Sequence, residues 1–517
     1  MAQVVLVYPE TELNPDPELR RFGLVAPLSC IFVAAMVVKN GRSVKIIDQR
    51  TDLHWADELK VAASDPETVC VGISSMTGPQ IGWGLKASEI VKSVRADLPV
   101  VWGGVHPTLR PEECLSDPRI DYCVLGEGEL TFADLVEKLV REEPLGNMEG
   151  VAYVGDDGSV VVNERPAFID LNDVGIPPYH LVDHTKYTHT PFRMGERSIA
   201  VLTSRGCPFR CAYCYSVVFD KRRWRPLTAE NTVAMFEHLV ETYNTRSFVL
   251  LDDMFVTDVK RVRAICEMLR EKNLGLTIHN ANIRIDAVCR MDQDLLNLMR
   301  EVGFTKIFVG AESGSDEILK GIDKDSRVKH LLEGNRKLQE AGIVPVYAFM
   351  AGFPFEKPEN VKETLRTMAQ LHDDNPTMYT YGLSLFSPFP GTRLFDLSVE
   401  RGMRAPKRLE DWCTFQYNNL NYIEFPKDDA AFFRMIGKYS PYFVMDTILK
   451  DVPGLKAAYQ RFLAKSFRRR VRRDDYEGMW EFRAYEGLRS LYHRLRDSRS
   501  GGTATHRPPK EAYDGGH

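Results

Sequence analysis

The sequence predicts an α/β protein with an N-terminal doubly wound parallel sheet, a partial (β/α)6 barrel and a mostly helical C-terminal region. Three observations support this prediction. Short apolar strands alternate with helical patterns over residues 1–140, a second such series runs over residues 197–400, and helical patterns without strands follow over residues 401–497. Alternation of apolar strands and amphipathic helices is typical of a parallel sheet that is covered by helices.

The first sheet is predicted from five short apolar runs. These runs are Val4–Tyr8, Val44–Ile47, Val69–Ser74, Pro99–Trp102 and Tyr122–Leu125. Helical spacing is found over Pro27–Val38, Trp83–Arg95 and Phe132–Val140. Ligands of such sheets bind beyond the carboxyl ends of the strands, so the loops Ser74–Gly78, Gly103–Pro107 and Gly126–Gly128 mark the predicted ligand-binding edge.

Residues 141–196 break the alternation. Prolines and glycines interrupt every longer element there, and the Asp157-Gly158 turn predicts a small hairpin within a linker.

The second series contains six strand patterns, and a helical pattern follows each of the first five. The predicted strands are Ile199–Ser204, Ser247–Leu251, Leu276–Ala281, Lys306–Val309, Val344–Met350 and Tyr379–Leu385. Six βα units without a reversal predict most of a parallel barrel, in which the active site lies at the carboxyl ends of the strands.

Composition restricts the function classes. Of 517 residues, 44% are hydrophobic and 27% are charged, with a net charge of −5, which excludes a disordered chain and argues against a nucleic-acid-binding field. No apolar run reaches the length of a membrane span, and the N-terminus does not read as a signal peptide, so we expect a cytoplasmic protein.

The basic run 468–473 predicts a solvated helix face, with an anionic partner or membrane surface as the alternative. Residues 498–517 predict a disordered tail.

Three of the ten cysteines form a compact group. Cys207, Cys211 and Cys214 are spaced C-x3-C-x2-C and directly follow an apolar strand. Three thiolates can hold three irons of a [4Fe–4S] cluster and leave the fourth iron open for another ligand. Zinc is the competing metal, but no nearby His or fourth Cys completes a closed zinc site.

This run, with an aromatic residue before its last cysteine, resembles the radical S-adenosylmethionine (SAM) superfamily over residues 197–395. The resemblance implies that the open iron binds SAM, whose reductive cleavage gives a 5′-deoxyadenosyl radical. It also implies SAM contacts at strand ends and in the cysteine loop. These candidates are Tyr213, Asp252, Asp253, Arg284, Glu312, Ser313 and Gly352.

The N-terminal sheet lacks the glycine-rich motifs of dinucleotide and ATP sites. Its segments, including Val101–Thr108 and Asp121–Glu129, resemble the cobalamin-binding domain that precedes many radical SAM domains. The resemblance implies cobalamin contacts at Ser75, Met76, Thr77, Gly103, Gly104, His106, Gly126 and Glu127. The cobalt-ligating His of the family's D-x-H-x-x-G motif is missing, because Asp48-Gln49-Arg50 stands there. The loop 75–77 would then lie beneath cobalt.

The leading functional prediction is a cobalamin-dependent radical SAM methyltransferase acting on an unactivated carbon or phosphorus of a small-molecule, natural-product or lipid substrate. A cobalamin-dependent oxidative cyclase or ring-rearranging enzyme is the alternative, and a non-catalytic cobalamin or redox sensor is the third possibility. The chemistry implies anaerobic work and a low-potential electron donor such as a ferredoxin or flavodoxin. No catalytic side chain is identified. Phe415 and Tyr417 are candidates for lining a substrate cavity, although core packing is the favoured explanation for such aromatic residues.

Overall fold

The computed structural model describes residues 3–13, 24–187, 198–415 and 425–499, with the side chains of the last helix described through Leu491. The chain divides into two compact units, the first through Pro441 and the second from Tyr442 onward. Tyr417 and residues 500–517, which carried sequence predictions, lie outside the described residues.

The first sheet has seven strands. They are β1 (Gln3–Tyr8), β2 (Ser43–Asp48), β3 (Thr68–Ser74), β4 (Val100–Gly103), β5 (Tyr122–Val124), β6 (Val151–Val154) and β7 (Val160–Val162). The strand order is β2-β1-β3-β4-β5-β6-β7. The five predicted strands pair in parallel. The hairpin predicted near Gly158 is present as β6 and β7, and it extends the sheet with two antiparallel strands.

Helices cover the two faces of this sheet. They are α1 (Leu28–Lys39), α2 (Trp55–Ser64), α3 (Pro79–Val94), α4 (Val105–Leu109), α5 (Pro111–Leu115) and α6 (Gly128–Val140). Successive residues of β1 enter different cores, because side chains along a strand alternate between faces. Val5 and Val7 pack in a core with α2 and α3, whereas Val4 and Leu6 pack in a core with α1 and α6.

The second series begins after α7 (Leu171–Val174). Its strands are β8 (Ile199–Val201), β9 (Ser204–Arg205), β10 (Arg225–Pro226), β11 (Ser247–Leu250), β12 (Thr277–His279), β13 (Ala281–Asn282), β14 (Lys306–Glu312), β15 (Val344–Ala351) and β16 (Tyr379–Leu385). Two parallel sheets result, ordered β12-β11-β8 and β13-β14-β15-β16, and a separate antiparallel pair joins β9 and β10.

Helices separate these strands. They are α8 (Ser216–Phe219), α9 (Ala229–Tyr243), α10 (Val259–Lys272), α11 (Ile285–Arg290), α12 (Gln293–Glu301), α13 (Asp316–Gly321), α14 (Val328–Glu340), α15 (Pro358–Asp374), α16 (Arg393–Glu400) and α17 (Lys427–Tyr439).

The structure corrects two predicted strands. The run Ile199–Ser204 is interrupted after β8, because the backbone N–H of Thr203 donates to Asp252 and β9 then pairs with β10. The run Leu276–Ala281 is interrupted at Asn280, whose φ of 62° is the left-handed conformation that breaks a strand. The carboxyl ends of β8 and β11 keep their predicted places beside the cysteine loop.

The segment after α16 returns to the N-terminal sheet. Trp412, Cys413 and Phe415 are buried in the same core as Trp102. The carbonyl oxygen of Phe415 would lie 2.5 Å from a Cβ placed on Gly78, so the two backbones approach closely. Phe415 is therefore a core residue, as the packing alternative predicted.

The second unit contains α18 (Met445–Ile448), α19 (Leu455–Arg473) and α20 (Trp480–Arg499). The predicted solvated face of residues 468–473 is wrong for two arginines. Arg468 is buried and pairs with Asp446, and Arg470 pairs with Glu481 at 2.7 Å, while Arg469, Arg472 and Arg473 are exposed. In the described part of the chain, none of the helices combines the length and the apolar character that a membrane crossing needs.

Candidate active site

The cysteine loop runs from β9 to α8. Cys211 is buried, whereas Cys207 and Cys214 are partly exposed. Burial, together with the nearby Cys211 thiol, raises the pKa of Cys207 to about 11 and that of Cys214 to about 12. The three thiols are therefore close enough to interact electrostatically. Bound iron would have the opposite effect and lower the pKa of these thiols, because a thiol that coordinates a metal ion is deprotonated.

The donor set fits a multi-iron cluster better than a single ion. Among the residues that the structure describes, no three His, Cys, Asp or Glu side chains converge as the ligands of one metal ion. Soft thiolates that each hold a separate iron are the ligands expected of an iron–sulfur cluster.

Two adjacent carboxylates fix the backbone on both sides of these cysteines. Asp252 accepts the backbone N–H of Thr203 at 2.7 Å and the hydroxyl of Ser204 at 2.6 Å. Asp253 accepts the backbone N–H of Gly206 at 2.9 Å and the hydroxyl of Tyr215 at 3.1 Å. The predicted SAM-binding pair thus ties down the residues that precede Cys207 and the residue that follows Cys214.

Gly206 allows the chain to enter the loop. Its φ is 75°, and a Cβ at this position would lie 2.1 Å from the carbonyl oxygen of Arg223. Only glycine fits such a combination of left-handed backbone and close contact without movement of the neighbouring backbone.

A buried ion pair lies next to the loop. Lys324 donates to Glu312 at 2.9 Å, and Lys324 is close enough to Cys211 for that thiol to influence its pKa. Glu312 ends β14 with a φ of 62°. Burial and then the charge of nearby Glu312 raise the pKa of Tyr213 well above its ordinary value.

Arg284 combines burial with free hydrogen-bond donors. Its guanidinium lies 3.9 Å from the centroid of the Phe209 ring in the cysteine loop, and its Nε donates to Asp286 at 2.8 Å. Its two terminal nitrogens are buried and have no protein acceptor among the described residues. A buried guanidinium with unused donors needs an acceptor, and a carboxylate matches its geometry.

Two other predicted SAM contacts are engaged within the protein. The Ser313 hydroxyl lies 3.0 Å from that of Thr364. The backbone N–H groups of Gly352 and Phe353 donate to one oxygen of Glu356, at 2.6 and 3.2 Å. Glu356 was missed from the sequence, although an acid four residues after a turn glycine is a possible cap for that turn.

A cavity of about 370 Å³ lies at the carboxyl edge of the N-terminal sheet. Five of the predicted cobalamin contacts line it, namely Met76, Gly103, Gly104, Gly126 and Glu127. Its far side is formed by residues of the second series, including Leu202, Arg205 and Leu251. The cavity therefore extends from the glycine-rich edge of one sheet to the strand ends beside the cysteine loop.

Glycine keeps the cavity open. Gly72, which sequence reasoning missed, lines it, and a Cβ there would lie 2.7 Å from Leu6 and 3.1 Å from Phe132. The volume is within the range of small-molecule and cofactor sites, and its mostly apolar walls suit an aromatic base such as that of the nucleotide tail of a cobalamin. The residues present thus fit part of that cofactor.

The remaining predicted cobalamin contacts, Ser75, Thr77 and His106, do not line this cavity. His106 is fully buried, its Nδ1 lies 3.0 Å from the Thr77 hydroxyl, and its ring contacts Trp412. Burial and then the charge of Arg110 lower the pKa of His106 to about 3. His106 is therefore packed as a neutral core residue.

Arginine occupies the position of the missing cobalt ligand. Arg50 stands two residues after Asp48, where the family motif has its His. The two side chains form a bidentate ion pair, with Nε–Oδ1 at 2.9 Å and Nη2–Oδ2 at 2.6 Å. Tyr187 also donates to Asp48. Asp48 and Arg50 are therefore engaged with each other in a buried ion pair.

Comparison with known proteins agrees with this division. The Radical SAM superfamily profile matches residues 201–368, and the B12 binding domain profile matches residues 21–136. An uncharacterized methyltransferase of Pyrococcus horikoshii is 31% identical over 407 residues, covering 78% of this chain and 84% of the relative. An anaerobic magnesium-protoporphyrin IX monomethyl ester cyclase of Rubrivivax gelatinosus is 28% identical over 357 residues, covering 68% of this chain and 62% of the relative.

A solved structure shares the fold. The radical SAM methyltransferase TsrM from Kitasatospora setae, determined with cobalamin and a [4Fe–4S] cluster, superimposes with a TM-score of 0.65 at 16% identity and covers 92% of this chain and 99% of its own. The cysteine loop, the glycine-rich cavity and the identity with the P. horikoshii relative lead to one assignment. The chain is a radical SAM enzyme and belongs to the members of that superfamily that carry an N-terminal B12 binding domain.

Proposed function

We propose that this enzyme is a cobalamin-dependent radical SAM methyltransferase, acting on an unactivated carbon or phosphorus of a small-molecule, natural-product or lipid substrate. The observation that carries this proposal is the cavity, because its walls combine the glycine-rich edge of the N-terminal sheet with Arg205, two residues from the first cysteine of the loop. Two cofactors placed at these adjacent edges would act on one substrate.

In this proposal Cys207, Cys211 and Cys214 hold the cluster, and the fourth iron is left for SAM. The buried donors of Arg284 bind the carboxylate of SAM, because both terminal nitrogens lack a protein acceptor among the described residues and the guanidinium lies against Phe209 of the loop. Tyr213 lies beside Glu312, and Lys324, the partner of Glu312, is close enough to Arg284 for that charge to influence its pKa. Asp252, Asp253, Ser313 and Gly352 shape the surrounding loops through their internal hydrogen bonds.

On the cobalamin side, the cavity takes the nucleotide tail, and Gly103, Gly104 and Gly126 let the backbone approach the cofactor. Met76 lines the cavity and is 39% exposed, so its loop would contact a bound cobalamin. Loaded with both cofactors, the site would supply hydrogen abstraction by a 5′-deoxyadenosyl radical and methyl transfer from cobalamin. The protein orients the reactants and excludes water, and a ferredoxin or flavodoxin supplies the electron.

An oxidative cyclase or ring-rearranging enzyme is the second candidate. It is supported by the similarity to the anaerobic cyclase of R. gelatinosus, which is 28% identical over 357 residues.

An anaerobic isotope experiment separates the two candidates. The protein is reconstituted with iron, sulfide and hydroxocobalamin, reduced, and given SAM with a deuterated methyl group, first alone and then with a metabolite and lipid extract. We expect deuterated methylcobalamin on the protein without extract, and a labelled product with 5′-deoxyadenosine and S-adenosylhomocysteine when extract is present. Formation of 5′-deoxyadenosine without label transfer would contradict the methyltransferase and favour the cyclase.

A pair of cysteine variants controls this assay. Cys211→Ala should lose SAM cleavage because one iron ligand is removed. Cys289→Ala should keep it, since Cys289 lies on α11 and donates to the carbonyl of His330. Equal activity of both variants would exclude the cysteine loop as the cluster site.

A further inference from the structure

The wall between the cavity and the cysteine loop is a network of buried charges. Arg205 lies 3.1 Å from Glu127 and also pairs with Glu129. Arg225 lies 2.9 Å from the same oxygen of Glu127 and 3.0 Å from Asp220. The side chains of all five are at most 15% exposed. Ion pairs this deep hold their partners in place, because breaking one leaves an uncompensated buried charge.

Arg205 is the residue of this network that lines the cavity and also lies next to the cysteine loop in the chain. Its guanidinium lines the cavity and lies 4.9 Å from the centroid of the Phe32 ring, which lines the same cavity. Glu127 and Glu129, its two partners, line it as well. Along the chain, Arg205 is separated from Cys207 by Gly206 alone.

The backbone between Arg205 and Cys207 has little freedom to absorb a displacement. Gly206 is held by its hydrogen bond to Asp253 and by its close approach to the carbonyl of Arg223. Arg205 itself is paired across β9 and β10 with Arg225. A shift of the guanidinium is therefore transmitted to the first cysteine rather than lost in a flexible loop.

From these contacts we propose that Arg205 is a positioning residue that couples occupation of the cavity to the geometry of the cysteine loop. The inference rests on the proposed function and deepens it, because it assigns a route by which bound cobalamin changes the binding of SAM at the cluster. A ligand in the cavity touches the wall formed by Arg205, Glu127 and Glu129. The wall in turn sets the position of Cys207. Coupling of this kind is reciprocal, so SAM must change the affinity for cobalamin by the same factor.

The test measures coupling rather than activity. Reconstituted wild type, Arg205→Gln and Arg42→Gln are titrated with SAM, with and without saturating hydroxocobalamin, and the dissociation constant is read from the EPR spectrum of the reduced cluster. Arg42 is the matched control, since it forms a bidentate pair with Glu137 on the same domain and does not line the cavity. We expect hydroxocobalamin to change the SAM dissociation constant by about fivefold or more in wild type and Arg42→Gln, the lower end of typical coupling. In Arg205→Gln the change should nearly vanish.

Two further variants keep the test decisive if Arg205→Gln does not fold. Arg205→Lys keeps the charge but offers a single ammonium instead of a fork, so it should retain part of the coupling. Glu129→Gln weakens one of the two anchors and should reduce the coupling while both ligands still bind. Unchanged coupling in Arg205→Gln or Glu129→Gln would overturn the inference, and so would a wild type that binds both ligands independently. A wild type that binds no hydroxocobalamin would overturn the proposed function itself, and the inference with it.

Discussion

In the first unit, the carboxyl edge of the N-terminal sheet and that of the second series of strands differ in the residue types that form them. The edge of the N-terminal sheet consists largely of glycines and apolar side chains around a cavity, with Gly72, Gly103 and Gly104 among its lining. The edge of the second series consists of carboxylates, hydroxyls and cations that bind one another, such as Asp252 with Ser204. At the first edge, glycines without side chains leave room for a cavity. At the second edge, polar side chains fix the conformation of the cysteine loop through hydrogen bonds.

This difference changes how strand-end residues should be interpreted. At the glycine-rich edge, the predicted positions Gly103, Gly104 and Gly126 line the open space directly. At the polar edge, Asp252 and Ser313 already have protein partners, so their polarity maintains the fold. Arg284 is the exception, since its terminal nitrogens lack protein acceptors among the described residues.

The largest expected effect comes from Gly206→Ala, which tests whether the polar edge depends on one glycine. The added Cβ would lie 2.1 Å from the Arg223 carbonyl oxygen, so the loop entrance must move. We expect the iron content after reconstitution to fall from about four per chain to below about one. Gly487→Ala is the control, because open space surrounds Gly487. Full iron retention by Gly206→Ala would show that the loop tolerates this movement.

Filling the glycine-rich edge should weaken the binding of cobalamin and leave the iron–sulfur cluster in place. The nearest atoms to a Cβ on Gly103 lie 3.9 Å away, so Gly103→Leu can place its side chain in the cavity without a backbone clash. We expect the hydroxocobalamin dissociation constant, measured by visible absorbance, to rise by about 100-fold, which corresponds to about 2.7 kcal/mol. Iron content should stay at the wild-type value.

Gly103→Ala adds only a methyl group at the same place and should change the affinity much less. If both variants bind hydroxocobalamin as the wild type does, the cavity is not the cofactor site.

Arg284→Met tests the side chain whose two terminal nitrogens have no acceptor among the described residues. Methionine keeps a contact with Phe209 but removes the charged donors, and the net loss of one hydrogen bond to a charged group costs about 1.5–3 kcal/mol. We expect the SAM dissociation constant to rise by about 10- to 100-fold, with unchanged hydroxocobalamin binding. Arg290→Met is the matched control, since Arg290 pairs with the same Asp286 but is 57% exposed. Equal losses in the two variants would assign the effect to Asp286.

The sequence was sufficient for features with a local signature. Apolar alternation predicted the five parallel strands of the first sheet, and the spacing of Cys207, Cys211 and Cys214 predicted the cysteine loop, which follows β9. Features that depend on distant partners were not predictable. Asp252 meets Thr203 across 49 residues, and Ser313 meets Thr364 across 51. A strand-end polar residue looks the same in sequence whether it faces a ligand or another loop.

The dependence on distant partners also explains why the pairing of one hairpin and the burial of two arginines were not predicted. The hairpin near Gly158 was recognisable from its turn, but its pairing with β5 is a tertiary event. Arg468 and Arg470 read as part of a charged helix face, but their partners Asp446 and Glu481 lie on other segments of the second unit. Periodicity places a charge on a helix face, whereas burial of that charge depends on what packs against it.

The smallest expected effect concerns Glu356, where the polar edge contains a carboxyl group without a full set of partners. One oxygen accepts the N–H groups of Gly352 and Phe353, while the other is buried and has no partner in the described part of the chain. Burial raises the pKa of Glu356 from its ordinary value of 4.5 to about 8. Between these two values the folded state holds a proton that the unfolded state has released, so stability must fall as the pH rises through this window.

Glu356→Gln removes this titration and keeps the shape of the side chain. We expect the difference in Tm between wild type and Glu356→Gln to shift against the wild type, by about a few °C, as the pH rises from 5 to 8. Glu359→Gln serves as the control, because Glu359 is exposed in the first turn of α15, three residues after Glu356, and should give a nearly constant difference. A constant difference for Glu356→Gln would mean that the two N–H donors keep the carboxylate charged, and the turn after β15 would then be held by an anion rather than by a neutral acid.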